Sequence, residues 1–286
     1  MQNSWLPSLF VLAGLLQAMS GADPSSLAGE ALRIRIDPAR SFQTIDGFGA
    51  SDAWQCDLVG RNWPLAKRER IADLLFSREA DEHGNPKGIG LSIWQSEYCI
   101  LEENGEIGGG GKRDLGMNTA LFVARIIHHD LTIAHAKSWQ WWTAVSQVNF
   151  KDGLVYLDDG SKGDSGRMGP ETLSLMRDGE VRESKLLWTL GNYARFIRPG
   201  MVRVACDIAP VQSYVDGLLA SAYKGTNGEV VLVLVNLSQK AVGCQLGSDQ
   251  PVDVYTTSAS ANLEKSQQNA ADIRVPARAV ITCIVK

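Results

Sequence analysis

Leu32, Ile34 and Ile36 alternate with Arg33 and Arg35, the period-two pattern of a half-buried strand. A turn at Asp37-Pro38 follows, then a second extended piece to Gly49. Residues 64–77 change period: Ile71, Leu74 and Leu75 make one apolar helical face, Lys67, Arg68 and Arg70 lie on the polar side, and Pro64 suits the first turn. Residues 88–101 form a long apolar run that reads as a strand, interrupted by one carboxylate, Glu97. Residues 102–116 are a loop with four consecutive glycines, Gly108 to Gly111. A mostly buried helix is predicted over 117–129, a strand over 131–145, and a third amphipathic helix over 184–198. Residues 151–183 between them are a polar, Gly- and Asp-rich insertion.

Beyond Pro199 the pattern becomes strand after strand, VRVAC, SYVDGLLASAYK, EVVLVLVNLS, VDVYTTS and ARAVITCIV, punctuated by turn residues. That predicts an all-β module. Strand–helix alternation in the middle argues for a parallel α/β layer or barrel. Only three such units fit between 47 and 198, and a full (β/α)8 barrel needs eight, typically over about 250 residues.

Composition narrows the function classes. Of the 286 residues 44% are hydrophobic, enough for a sizeable core, and the net charge of −4 with no Lys/Arg stripe gives no sign of nucleic-acid binding. Residues 8–19 are a short apolar run followed by Ser20, Gly21 and Ala22, which reads as a secretory signal cleaved near Ala22, although Lys and Arg are missing before it; the alternative is a buried N-terminal helix. No later run approaches membrane-spanning length. The cysteines, at 56, 99, 206, 244 and 283, show no zinc spacing, and their odd number leaves at least one thiol free. Asn236-Leu237-Ser238 is an N-glycosylation triplet at the end of an apolar strand.

Candidate chemistry lies in few places. An ionised Glu is costly in an apolar run unless it is paired or working. Glu97 therefore reads either as a catalytic carboxylate at a strand's C-terminal end or as half of a buried ion pair. The run SWQWW, 138–142, offers flat indoles that suit the C–H faces of sugars or simply fill a core. Alternation puts Trp139 and Trp141 on one face, and Gln140 and Trp142 on the other. Asp52 and Trp54 share a face if their strand persists; Asp52 suits a sugar hydroxyl or an Asx turn. The glycine loop lacks phosphate-loop spacing. His128-His129-Asp130 does not read as a metal site, because adjacent helical residues do not share a face.

GFGASDAW, GIGLSIW, WQSEYCIL, GGGGKRDLG, VARIIHHDLTIAHAKSWQWWTAVS and LLWTLGNYARFIRPGMVRV together resemble glycoside hydrolase family 30, and its endo-β-1,6-galactanase branch in particular. The resemblance covers nearly all of the chain after the apolar leader. It implies a (β/α)8 barrel with a side β-sandwich and retaining hydrolysis by two glutamates. Glu97 is then the nucleophile on the seventh strand, SWQWW the eighth strand and GFGASDAW the first, with Asp52, Trp54, Trp139 and Trp141 binding sugar. Here GIGLSIW, which resembles the second strand, leads straight into the seventh-strand motif QSEYCIL. Strands three to six are missing, and with them the acid/base glutamate that follows an asparagine; the chain contains no Asn-Glu dipeptide.

The expected fold is thus α/β plus all-β, a truncated (β/α)8 TIM-type barrel with a side β-sandwich. The expected divisions are a signal peptide at 1–22, N-terminal sandwich strands at 23–46, a partial barrel at 47–198 and the C-terminal sandwich at 199–286. The expected function is a secreted, monomeric, retaining glycosidase acting on β-1,6-linked galactan, impaired by loss of its acid/base, with no cofactor, metal, nucleic-acid or membrane partner. The competing reading is a non-catalytic carbohydrate-binding remnant or a truncated gene product.

Overall fold

The computed structural model describes residues 31–52, 55–95, 113–158 and 177–285. The expected signal peptide, Trp54, Glu97, Cys99 and the tetraglycine loop lie outside the described residues. In chain order the elements are β1 (Leu32–Thr44), β2 (Gly47–Ser51), α1 (Gln55–Asn62), α2 (Leu65–Phe76), β3 (Ile93–Gln95), α3 (Met117–Thr132), β4 (Ser138–Trp141), β5 (Thr143–Ser146), β6 (Gly153–Asp158), β7 (Glu180–Glu183) and α4 (Lys185–Ala194). There follow β8 (Val202–Ala209), β9 (Leu218–Lys224), β10 (Val230–Asn236), β11 (Val242–Gln245), β12 (Pro251–Thr257), β13 (Glu264–Asn269), β14 (Ile273–Val275) and β15 (Ala279–Val285).

The C-terminal strands and β1 form one nine-stranded sheet in the order β13-β12-β15-β10-β9-β8-β1-β11-β14. β10 shows why it folds on itself. Val230, Leu232 and Leu234 point into one apolar cluster with Leu32, Ile34, Val254 and Ile281. Val231, Val233 and Val235 point the other way, into the cluster shared with α3 and α4. A strand buried on both faces reads as an uninterrupted apolar run, as VVLVLVN does. The two ends of the sheet, β13 and β14, are tied together: Gln268 Oε1 accepts from Arg274 N at 2.8 Å, and Asn269 bridges Asp272. The sheet is nearly closed, which leaves little edge for unwanted pairing.

The alternating N-terminal strand is part of this sandwich. β1 runs antiparallel to β8, with register shifts between Asp37 and Thr44 where the Asp37-Pro38 turn was expected. The chain bulges there and continues as one strand.

The α/β layer is a three-stranded parallel sheet in the order β3-β2-β4. Three strands agree with the three units counted in the sequence. The strand expected over 131–145 is corrected: α3 runs on to Thr132, 133–137 make a turn, and the strand divides into β4 and β5. The divide moves β5 into a separate sheet with β6 and β7, inside the segment expected to be a plain insertion. α4 is shorter than expected and begins at Ser184, whose hydroxyl caps it by accepting from Leu187 N.

Arg195, just past α4, fixes the approach to β3. Its guanidinium donates to the carbonyls of Ser77, Gly88, Arg78 and Glu79 at 2.6–3.1 Å. The four described cysteines, Cys56, Cys206, Cys244 and Cys283, are free thiols. Burial pushes the thiols of Cys206 and Cys244 up to about 12, so they act as small apolar core groups.

Candidate active site

The register of the parallel sheet sorts its side chains. Phe48 lies beside Trp139, and Ala50 beside Trp94 and Trp141. Helices cover that face: Phe48 meets Tyr193 of α4 with ring centroids 6.1 Å apart, and Trp94 meets Phe76 of α2 at 5.1 Å. The opposite face carries Gly49 beside Ile93 and Gln140, then Ser51 beside Gln95. Gly49 is required there, because a Cβ would lie 2.6 Å from the Ile93 carbonyl oxygen.

Trp139 and Trp141, expected to offer a sugar platform, are in the core. They are 8% and 4% exposed. Their indole N–H groups are already used: Trp139 donates to Asp130 Oδ2 at 3.0 Å, and Trp141 to the Asp152 carbonyl at 2.7 Å. Alternation identified their shared face, and the amphipathic helices α3 and α4 decide that this face is the covered one. Gln140 lies on the other face beside Gly49, and its Oε1 is buried without a hydrogen-bond partner. Trp142 is a half-buried bend residue between β4 and β5. The sequence signal for Gln140 was its alternation with Trp139 and Trp141, which by itself does not say which face is open.

Asp52 directly follows β2 at the C-terminal end of the parallel strands and is half-buried. Its charge helps burial to push the Cys56 thiol up to about 12. Trp54 and Glu97, the other residues expected at this end, lie outside the described residues. The described part of this end is therefore Ser51, the last residue of β2, with Asp52 directly after it, Gln140 beside Gly49 and Trp142 directly after β4.

A carboxylate not foreseen from the sequence lies in the turn between β5 and β6. Asp152 is buried, its carbonyl accepts from Trp141 and from Thr143 Oγ1, and its Oδ1 has no partner. Burial raises its carboxyl to about 6. In sequence it is one of several acids in a polar segment, and nothing there marks it for burial.

His128 and His129 do not converge on a common point. His128 is buried in α3, and its pKa is lowered to about 4 by burial and then by the charges of His129 and Arg203. His129 turns towards Tyr214, and Asp130 is held by Trp139. Among the described residues no cluster has the makings of a metal site. The glycosylation triplet is folded away: Asn236 is fully buried, and its amide donates to the carbonyls of Lys240, Val275 and Pro276.

The O-glycosyl hydrolase family 30 model matches residues 31–95 and again 91–156. The glycosyl hydrolase family 30 β-sandwich domain matches residues 200–283. Two curated relatives, glucuronoxylanases XynC of Bacillus subtilis and of its strain 168, are 26% and 25% identical over 70% and 77% of this chain. The chain matches only 41% and 47% of their lengths, so it spans less than half of each. Among solved structures, a conserved exported protein from Bacteroides fragilis is similar in fold, with a TM-score of 0.73 and 21% identity, covering 88% of this chain and all of that one. No helix among the described residues is long and apolar enough to cross a membrane.

Proposed function

The chain belongs to glycoside hydrolase family 30, and from that premise we propose that it is an exported, retaining glycosidase-like protein on a shortened barrel, with weak or no turnover of polysaccharide. Glu97 is the nucleophile. Asp52 and Trp54, with Gln140 on the face away from the helices and Trp142 in the bend after β4, hold the sugar. The substrate class is β-linked polysaccharide. The resemblance favours β-1,6-galactan, and the glucuronoxylanase relatives make xylan the competitor to test beside it.

The observation that carries this reading is the junction at 91–95, where two stretches matched by one family model overlap. β3 sits beside β2, where a barrel's second strand belongs, and β4 sits on the other side of β2, where an eighth strand closes onto the first. Among the described residues, α3 is the helix between β3 and β4. This is the topology expected if strands three to six were removed and the second-strand motif fused to the seventh. Export is supported by the apolar run at 8–19 with its small-residue end, and by the similar exported protein.

Losing the acid/base has a defined chemical effect. A retaining enzyme holds its nucleophile and acid about 5–5.5 Å apart, and protonation of the leaving oxygen contributes about 10²–10⁴-fold. A chain that keeps only the nucleophile releases poor leaving groups slowly, whereas a dinitrophenyl glycoside needs no proton. The test compares purified wild type and Glu97→Gln on β-1,6-galactan, glucuronoxylan and dinitrophenyl β-glycosides. Release of dinitrophenolate by wild type alone, with little reducing sugar from either polymer, is the expected result. Equal release by the mutant would remove Glu97 from the mechanism. Sequencing the transcript across Trp94-Gln95 tests the junction itself; an additional coding segment there would make the short chain a gene-assembly product. A folded chain that binds these polymers and cleaves none of the substrates would favour the binding-remnant reading.

A further inference from the structure

A cavity of about 510 Å³ opens between β1, the last turn of α3 and the strands β8 and β9. α3 leads back to the start of β4, so this cavity lies at the beginnings of the parallel strands, whereas Asp52 and Trp142 lie at their ends. It is not part of the candidate active site.

Arg203 lines the cavity and is only 6% exposed. Its Nε donates to Gln43 Oε1 at 3.0 Å, and its Nη2 lies 2.9 Å from His135 Nδ1. Its guanidinium carbon sits 3.7 Å from the centre of the Phe42 ring, and Phe42 is itself stacked on His135. The head group is thus held in place, yet none of these partners is a carboxylate. Among the described residues Arg203 makes no ion pair. A buried charge without a counter-charge is expensive, and native proteins pair such groups.

A second buried group lines the same space. His128, also lining the cavity, is 5% exposed, and its Nδ1 has no hydrogen-bond partner. At the mouth stand Arg40, exposed and 5.6 Å from the same Phe42 ring, and Tyr214, exposed and edge-on to His129. Asp207 is the acidic residue of the lining, and it lies in an exposed position. The volume is within the range of small-molecule sites and has room for one or two sugar rings.

We propose that this cavity is a second saccharide site, which takes a carboxylate-bearing sugar with its carboxylate on Arg203 and Arg40 and its ring against Tyr214. The anion is required by the uncompensated guanidinium, whose fork suits a carboxylate. The sugar body rests on the carbohydrate reading of the preceding subsection, together with the exposed aromatic beside the charge.

The test is binding of D-glucuronate, D-galacturonate, neutral D-galactose and acetate to the full chain, by calorimetry or saturation-transfer NMR. Saturable binding of at least one uronate is expected, with galactose and acetate at least tenfold weaker. Tyr214→Ala and Arg40→Ala change exposed side chains and are each expected to weaken uronate binding at least fivefold at unchanged Tm. Glu97→Gln is expected to leave it unchanged. No saturable uronate binding, acetate binding as tightly as the uronates, or galactose binding as tightly would each overturn the proposal. So would uronate binding that Glu97→Gln abolishes and Tyr214→Ala leaves intact. Absence of dinitrophenolate release alongside retained uronate binding would count against the proposed activity and leave this site standing.

Discussion

Trp139 and Trp141 stack on one another with ring centroids 6.0 Å apart and planes 16° from parallel, on the covered side of the parallel sheet. Two indoles in that position hold the sheet to its helices. Trp141→Ala is expected to cost about 3–5 kcal/mol, the usual range for emptying a buried aromatic site. Trp142→Ala, in the bend between β4 and β5, is expected to change sugar binding more than stability. Denaturant midpoints together with binding titrations on both variants separate the two roles. A stable Trp141→Ala variant with weakened sugar binding would return that residue to the site.

Two buried titratable groups work against each other between pH 4 and 6. Asp152, with its carboxyl raised to about 6, favours the fold fully below its unfolded value near 4, and that contribution is lost as pH rises through 6. His128, lowered to about 4, favours the fold fully above about 6.5, and that contribution is lost as pH falls through 4. The wild-type profile should therefore be flat across this window. Asp152→Asn is expected to raise stability at pH 7 by on the order of 2–3 kcal/mol and to expose a loss of stability below pH 6 that the wild type hides. Tm measured from pH 4 to 8 for both proteins reads both effects; parallel curves would show that Asp152 is not buried as an acid.

Asn236 is predicted to carry no glycan even when the chain is made in a glycosylating host. Its amide nitrogen is committed to three carbonyls, and its Oδ1 accepts from Ser238 N and Oγ. Peptide mass spectrometry should find the unmodified residue. Asn236→Ala removes this donor from the three carbonyls, of which Lys240 O keeps the Ser238 hydroxyl, and should lower stability by about 2–3 kcal/mol.

Arg195→Ala removes the donor shared by four carbonyls of the segment that leads into β3. Residues 77–90 are expected to become the first point of cleavage in limited proteolysis, with faster amide exchange in β3. Arg195→Lys should restore little, because an ammonium cannot reproduce the planar fork. Unchanged cleavage sites would show that the packing of Ile89 and Leu91, their backbone bonds to Leu74 and Leu75, and Arg198 on the Gly90 carbonyl suffice to hold the segment.

The elements most legible in the sequence were those whose apolar pattern had one meaning. The run VVLVLVN can only be a strand buried on both sides, and Ile71, Leu74 and Leu75 can only be one face of a helix. The strand predicted over 131–145 was less legible, because a helix end, a turn and two strands of different sheets share one continuous apolar texture. At the candidate site, parity paired Trp139 with Trp141 correctly, but which face is open depends on α3 and α4, which meet the sheet from elsewhere in the chain. The lone charge of Arg203 was illegible for the same reason: burial without a counter-charge arises only when β1, α3 and β8 meet.

β1 is made well before its neighbour β8, with roughly 170 residues of chain between Ile36 and its partner Cys206. At about 5–20 residues per second, a ribosome would take about 10–30 s to deliver that partner. Through that interval Leu32, Ile34 and Ile36 have no neighbour to pair with, although the parallel layer that follows is already complete. The sandwich is thus a clasp whose two halves lie on either side of the parallel layer in the message, and the nascent chain is most exposed to chaperones and proteases until the second half emerges.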